Sequence, residues 1–472
     1  MTGAASFLIE VARYTRQLRN SSTLPGMTGS HTRQWVPLLL AFAAFACAPV
    51  RRVPAPEPVP TPPALGRDVR IGVVQFADSI LLGSPNQFEV GDMASGRVLA
   101  RGSSGTVTVR LGGPDPSSRY SVAQGTAVQQ VAGPVVVISS SEIVTIGDRT
   151  YRGRGEARIN SEGRLAGINE LPVERYLYGV VPRELGPVVF PEVEGQKVQA
   201  IAARTYALSY LGRRAADGYD LRATVDDQVY GGYADEHPVS NAAVDATAGV
   251  VLTHGGRLVL ARYSSTSGGH TADNEESFAE GPVPYLRGVP DVAHGPSPAG
   301  FAASLEAFKS YPDPWNLRLP PPPFDLDRPR YHRWTFEWTA AELSSVVSEF
   351  AGRPIGAVRA LNAVQRGPSG RVITLEIVTD SGTVTASRGG IRAALRYINA
   401  SGARANLPSA LFFIEPAGGD GGIPTAFRVY GGGFGHGTGM AQVGAVLMAR
   451  NGRLHPDILR HYYQGADLRK LY

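Results

Sequence analysis

The sequence predicts an α+β protein whose N-terminal part is rich in strands, and three observations carry that reading. Runs of β-branched residues bounded by Gly, Pro or Ser recur through residues 68–165. Apolar residues at helical spacing follow, from Val173 to Arg213. Beyond them, strands, turns and helices intersperse without βαβ regularity and without a repeat of fixed period.

Bulk properties bound the function. Hydrophobic residues make up 43% and charged residues 18% of the 472, a globular composition with enough length for several domains. The net charge of +5 suits an anionic partner such as a cell-wall polymer or a membrane surface. No block of Lys and Arg with interleaved aromatics is present, so nucleic acid is not an expected partner.

Residues 1–47 read as a signal peptide. Trp35 to Ala46 is an apolar run preceded by Arg33, too short to span a bilayer and of the right length for a signal-peptide core. Ala44 and Ala46 lead to Cys47, the single cysteine, so neither an intramolecular disulfide nor a cysteine-based zinc site can form. The arrangement is similar to a bacterial lipoprotein signal, which makes Cys47 the expected lipidation site and membrane anchor. An ordinary signal peptide cleaved near Ala46 or Ala48 is the alternative, and both imply export to the cell envelope. Met27 stands where a compact signal peptide would begin, so residues 1–26 are either an extended n-region or a misassigned start. Residues 48–67, with Pro49, Pro54, Pro56, Pro58, Pro60, Pro62 and Pro63, form an expected extended linker of polyproline character.

The 68–165 part contains three clear strands, Val69–Val74, Val107–Leu111 and Val135–Ile138, the last starting after the Gly133-Pro134 turn signal. Residues 166–472 are expected to hold the functional core. It opens with a helix from Val173 to Val181 and a second from Pro191 to Arg213, with Pro191 at the first helical position and Val198, Ile201, Ala202, Leu208 and Leu211 on one buried face. Residues 224–291 read as short strands and turns. Thr339 and Glu342 form a capping box for a helix that stops at Gly352. Arg371 to Thr385 reads as a hairpin turning at Asp380-Ser381-Gly382, and a helix is expected from Met440 to Arg450 after a glycine-rich strand end.

Four strings concentrate chemistry. Val181-Pro182-Arg183-Glu184-Leu185 sets a carboxylate among apolar neighbours in an expected turn, where desolvation would raise its pKa toward that of a general acid; a solvated loop glutamate is the ordinary alternative. In the second helix Gln199, Arg204 and Thr205 either line a cleft or, for Arg204, pair with a buried carboxylate. Tyr263 to Thr271 gathers hydroxyls beside Gly268 and Gly269, without the Gly-x-Ser-x-Gly elbow of a serine hydrolase. Gly431 to Met440 surrounds His436 with glycines, where it could meet a ligand or lock a tight turn. The string lacks the Gly-Lys-Ser/Thr of a phosphate loop, and His436 with the distant His461 is weak evidence for a metal.

Taken in order, these strings resemble the stage II sporulation protein D and amidase-enhancer family. The resemblance rests on Asn169-Glu170-Leu171-Pro172, Tyr176-Leu177-x-Gly179-Val180-Val181-Pro182-x-Glu184 and Lys197-x-Gln199-Ala200-x-Ala202-Ala203-Arg204-Thr205-Tyr206. It continues through Gln228-Val229-Tyr230-x-Gly232, Ser265-Thr266-Ser267-Gly268-Gly269-x-Thr271, Pro284 to Asp291, and Gly435-His436-Gly437-x-Gly439-Met440-x-Gln442-x-Gly444-Ala445, ending at His461-Tyr462-Tyr463. It covers roughly residues 68–472.

The resemblance implies a fold with a glycan-binding cleft and an activity, lytic transglycosylation of peptidoglycan strands stripped of stem peptides. The family's single catalytic glutamate falls on Glu184, and Gln199, Arg204, Ser267, His436 and Gln442 become candidates for the glycan groove. The other reading it implies is a non-catalytic wall-binding protein that stimulates an N-acetylmuramoyl-L-alanine amidase. No cofactor is implied. Some members of the family hold zinc through cysteines and histidines, but this domain has no cysteine, so that site is not expected. Ser264, Phe434, Ala441 and Val443 replace a histidine, a tryptophan, a serine and an aromatic residue common in the family, which bears on substrate preference.

Overall fold

A computed structural model of the chain describes residues 66–291, 304–310, 332–399, 402–419 and 424–472. The expected signal peptide, Cys47 and most of the proline-rich linker lie outside the described residues. Twelve strands precede the first described α-helix: β1 (Asp68–Ala77), β2 (Ser79–Ser84), β3 (Phe88–Asp92), β4 (Val98–Gly102), β5 (Gly105–Leu111), β6 (Tyr120–Gln124), β7 (Ala127–Val131), β8 (Val135–Ser139), β9 (Ile143–Ile146), β10 (Arg149–Arg152), β11 (Arg154–Ile159) and β12 (Leu165–Pro172). With β13 (Leu221–Arg222) they make two sheets, ordered β13-β1-β12-β11-β8-β3-β4 and β10-β9-β2-β5-β6-β7. Pairing is antiparallel throughout except between β1 and β13. Period-two alternation drives this layer: Val69 and Ile71, Val107 and Val109, and Val135 and Val137 point into one apolar core, with their neighbours less buried. All three strands read from the sequence are present.

β12 begins at the expected boundary between the strand-rich part and the core, yet hydrogen-bonds to β1 and β11, so one sheet runs across that boundary. It leads directly into α1 (Val173–Glu184), which is followed by α2 (Val193–Ser209). α2 is the central helix. Its Ala200, Ala203 and Ala207 face the core built on the strands, while Val198, Ile201 and Ala202 face a second core with Met440, Met448, Ile458, Leu459 and Tyr462. The single buried face expected from its periodicity is therefore corrected: the helix is covered nearly all round, as a helix between two cores must be. Its start is also later than expected, with Glu192 as N-cap and Pro191 outside the helix.

Two of the buried polar residues of α2, Gln196 and Thr205, are answered by other elements. Gln196 donates to the Leu185 and Phe190 carbonyls and accepts from Ser240. Thr205 donates to the Ile201 carbonyl and accepts from the Leu252 amide. A third helix, α3 (Pro238–Ala246), packs beside α2 in a stretch where only strands and turns were expected. Its first turn carries Pro238 behind a His237 cap, whose ring accepts from the Val239 amide at 3.2 Å, and a histidine is not a cap that sequence reasoning looks for.

Trp334–Thr339, Phe412–Ala417 and Ala426–Gly431 form one small sheet, and Val358–Arg366, Val372–Thr379 and Gly382–Ser387 another, around a third core. Here the local signals held closely. Thr339 and Glu342 make the capping box of α4 (Ala340–Ala351), which ends on Gly352 in the left-handed conformation. The expected hairpin turns between Thr379 and Gly382. The chain closes with α5 (Gln442–Arg450) and α6 (His455–Tyr462), α5 starting two residues later than expected.

Candidate active site

Glu184 is the last residue of α1, a correction to the turn expected there. Pro182 lies inside the helix and has no N–H to continue the ladder, so the helix ends just beyond it, with the Leu185 amide on the Val181 carbonyl at 2.8 Å. That ending presents the Glu184 carboxyl toward two segments far away in sequence. Its Oε1 accepts from the Val229 amide at 2.7 Å. Its Oε2 accepts from Gln442 Nε2 at 3.3 Å, and the same nitrogen donates to the Glu184 carbonyl at 3.2 Å.

Each partner is placed by packing that the sequence motifs encode. The Gln228–Gly232 segment docks on α1 at Gly179, where a Cβ would stand 2.5 Å from the Tyr230 ring, and the Gly231 amide reaches the Gly179 carbonyl at 3.0 Å. Tyr230 then donates to Asn169 at 2.8 Å, which fixes the segment and aims the Val229 N–H at the carboxyl. Gln228, fully buried, accepts from the Tyr176 hydroxyl at 3.2 Å and donates to that of Tyr263 at 2.8 Å.

Gln442 is placed by the glycine-rich loop. Gly433, Gly435, Gly437 and Gly439 all have positive φ, which explains their alternate spacing. At Gly435 a Cβ would lie 2.5 Å from that of Ser264, and at Gly439 only 2.1 Å from the Arg262 carbonyl oxygen. The loop thus lies directly on the Arg262–Ser264 backbone, and Met440–Ala441 pairs in parallel with Tyr263–Ser264 before α5 begins at Gln442.

Protein packs closely around the Glu184 carboxyl while the residue as a whole keeps partial solvent access. Burial pushes its pKa up to about 7, against the opposing pull of the Val229 amide, Gln442 and the Arg183 charge. The phenols of Tyr176 and Tyr263 are raised well above their ordinary value, chiefly by burial, and the Glu184 charge adds to both. A carboxyl held half-protonated near neutrality can give a proton and take one back.

The structure brings Gln199 and Gln442 to Glu184, since Gln442 Nε2 also donates to Gln199 Oε1 at 3.2 Å. It does not bring Arg204 there. Arg204 is fully buried and grips both oxygens of Glu174 at 2.7 and 2.6 Å, with the Val250 carbonyl at 3.0 Å, so it is an internal pair and not a groove residue. Ser267 is likewise buried, its hydroxyl donating to Asp291 and accepting from the Gly269 amide at 3.0 Å. His436 packs edge-on against Phe278 and accepts from the Thr438 amide at 3.0 Å; burial lowers its pKa to about 3, so it is a neutral residue locking the loop. Among the described residues no three His, Cys, Asp or Glu side chains gather where they could hold a metal ion.

Two family descriptions match the chain: "Stage II sporulation protein" over residues 161–254, which holds Glu184, Gln199 and Val229, and a domain of unknown function (DUF8618) over residues 272–439. The stage II sporulation protein D of Bacillus amyloliquefaciens is 30% identical over 318 residues, which span 64% of this chain and 75% of that protein. The chain belongs to the stage II sporulation protein D family. The stage II sporulation protein D of Bacillus subtilis is 27% identical over 316 residues, again 75% of that protein. The amidase enhancer of Bacillus subtilis is 28% identical over 317 residues, although these span only 40% of it. Within this family the unread parts of the site are Tyr176, Gln228, Val229 and Tyr263. The first three sit inside motifs that carried the resemblance, but the decisive group on Val229 is a backbone N–H, which no side-chain pattern announces.

Proposed function

We propose that this protein is a peptidoglycan lytic transglycosylase of the cell envelope, with Glu184 as its single acid and base. The observation that supports it most is the buried carboxyl at the end of α1, poised near pH 7 in a residue that keeps partial solvent access. Oε1 accepts the short bond from the Val229 N–H at 2.7 Å and Oε2 only the longer one from Gln442 at 3.3 Å, so the proton is assigned to Oε2. From there it passes to the glycosidic oxygen of a strand lacking stem peptides, and the bond from that oxygen to C1 of N-acetylmuramic acid breaks. The Glu184 carboxylate then takes the proton of the same sugar's 6-hydroxyl as its oxygen bonds to C1, closing a 1,6-anhydro ring. One carboxyl suffices because the substrate supplies its own nucleophile, unlike the two-carboxylate glycosidases.

A second reading has support in the similarity to a protein named amidase enhancer: a wall-binding protein that stimulates an N-acetylmuramoyl-L-alanine amidase without cutting glycan itself. Export and anchoring through a lipid on Cys47 fit either reading. The two separate on purified protein incubated with glycan strands lacking stem peptides. The transglycosylase forms 1,6-anhydro-muramic ends visible by mass spectrometry. Strand binding without such ends, together with faster cleavage by an added amidase, selects the enhancer.

A further inference from the structure

Gln199 and Gln442 come from helices on opposite sides of a buried seam, and their amides meet beside Glu184. Gln442 Nε2 has two hydrogens and three acceptors within reach: the Glu184 carbonyl at 3.2 Å, Glu184 Oε2 at 3.3 Å and Gln199 Oε1 at 3.2 Å. Gln199 is fully exposed to protein and not at all to solvent, and Gln442 is 7% exposed, so neither amide is free to reach out and hold a sugar. Moreover, Gln199 Nε2 is buried without a hydrogen-bond partner. An orphaned buried donor costs stability, and a purely structural residue at this place would have been apolar. What the arrangement secures is direction: with its oxygen turned to Gln442, Gln199 forces the Gln442 amide to present N–H, not C=O, to Glu184.

We infer that Gln442 and Gln199 are positioning residues for Glu184, Gln442 holding the proton-carrying oxygen and Gln199 fixing the polarity of Gln442. The role rests on Glu184 being the acid proposed above, and it moves both glutamines from the glycan groove to the support of the carboxyl. The other charged or titratable groups facing Glu184 are Arg183 on its own helix and the phenols of Tyr176 and Tyr263, both of which stay protonated around neutrality. Neither α2 nor α5 brings a charge to the carboxyl, so the glutamines supply the only adjustable polarity from those helices among the described residues.

The test compares the full chain with Gln442→Met and Gln199→Met. Glu184 is followed by carboxyl carbon NMR, through the resonance that Glu184→Gln removes, and anhydro-end formation and thermal unfolding are measured alongside. Losing the Gln442 donor raises the Glu184 midpoint by about half to one pH unit, moves the alkaline limb of activity with it, and lowers the rate on stripped strands roughly 10- to 100-fold at unchanged strand affinity. Gln199→Met acts in the same direction with smaller amplitude and leaves the melting temperature unchanged or higher, because the orphan leaves with the amide. Wild-type midpoint and rate in both variants overturn the inference. So does a Gln199→Met protein that loses stability while its Glu184 midpoint stays put, which is the mark of a merely structural residue. If the wild type forms no anhydro ends at any pH, the transglycosylase reading fails instead, and the carboxyl titration still decides the positioning role.

Discussion

Replacing Glu184 by glutamine alters stability with a pH signature set by the burial of its carboxyl. The folded-state pKa stands near 7, above the ordinary 4.5, so the folded protein binds a proton that the unfolded chain has already lost in between. A raised carboxyl pKa therefore costs nothing below about pH 4.5, removes roughly 1.4 kcal/mol per unit as pH rises to about 7, and leaves a constant deficit above it. The 2.5-unit difference between those two values amounts to about 3 kcal/mol. Glutamine carries no such penalty, but it sets an amide nitrogen against Gln442 Nε2 and forfeits that contact, a cost of about 1 kcal/mol at every pH. Glu184→Gln should thus be about 1 kcal/mol less stable than wild type at pH 4.5 and about 2 kcal/mol more stable at pH 8.5. Thermal unfolding across that range, followed by circular dichroism, would show the melting-temperature difference change sign and reach about +2 to +3 °C at the alkaline end. A difference that stays flat with pH would refute the reasoning, since it would mean that the carboxyl ionises as freely in the fold as in water.

Three further outcomes follow from placements in the structure. Arg204→Met leaves Glu174 charged and unpaired in the interior and should cost about 3–5 kcal/mol, most of it recovered in Arg204→Met/Glu174→Gln; denaturant titration measures both, and the double variant should keep wild-type activity per folded molecule. Gly439→Ala puts a Cβ 2.1 Å from the Arg262 carbonyl at a φ of +75°, so it should lose more than the roughly 1 kcal/mol of conformational cost alone and displace Gln442, read as reduced stability and a raised Glu184 midpoint together. Thr339→Ala removes half of a capping box, costing about 1 kcal/mol, which should speed amide exchange in α4 about fivefold while α2 is unaffected.

What the sequence announced and what it hid divide along physical lines. Signals that act over a few residues were legible: the β-branched runs of β1, β5 and β8, the Thr339–Glu342 box with its Gly352 stop, and the two-residue turn after Thr379. Signals that depend on distant partners were not. α2 showed a helical period but not that it lies between two cores, because Ala200 and Ala203 look the same whether they face a sheet or solvent. α3 was missed because its cap is a histidine ring. In the site, Glu184 was legible as a residue, yet its place at a helix end depends on where Pro182 stops the ladder, and its tuning depends on Val229 and Gln442, 45 and 258 residues away. Arg204 and Ser267 show the converse: polar residues inside strong motifs that turn inward to Glu174 and Asp291.

The central claim is that Glu184 is the acid that opens the glycosidic bond. The most direct test is to incubate wild type and Glu184→Gln with glycan strands lacking stem peptides, near pH 6, where the carboxyl is mostly protonated. Mass spectrometry then scores 1,6-anhydro-muramic ends. The account predicts such ends from the wild type and at least a hundredfold fewer from the variant at equal strand binding, the upper range for loss of a general acid being about 10⁴. Equal numbers of anhydro ends from both proteins would contradict it.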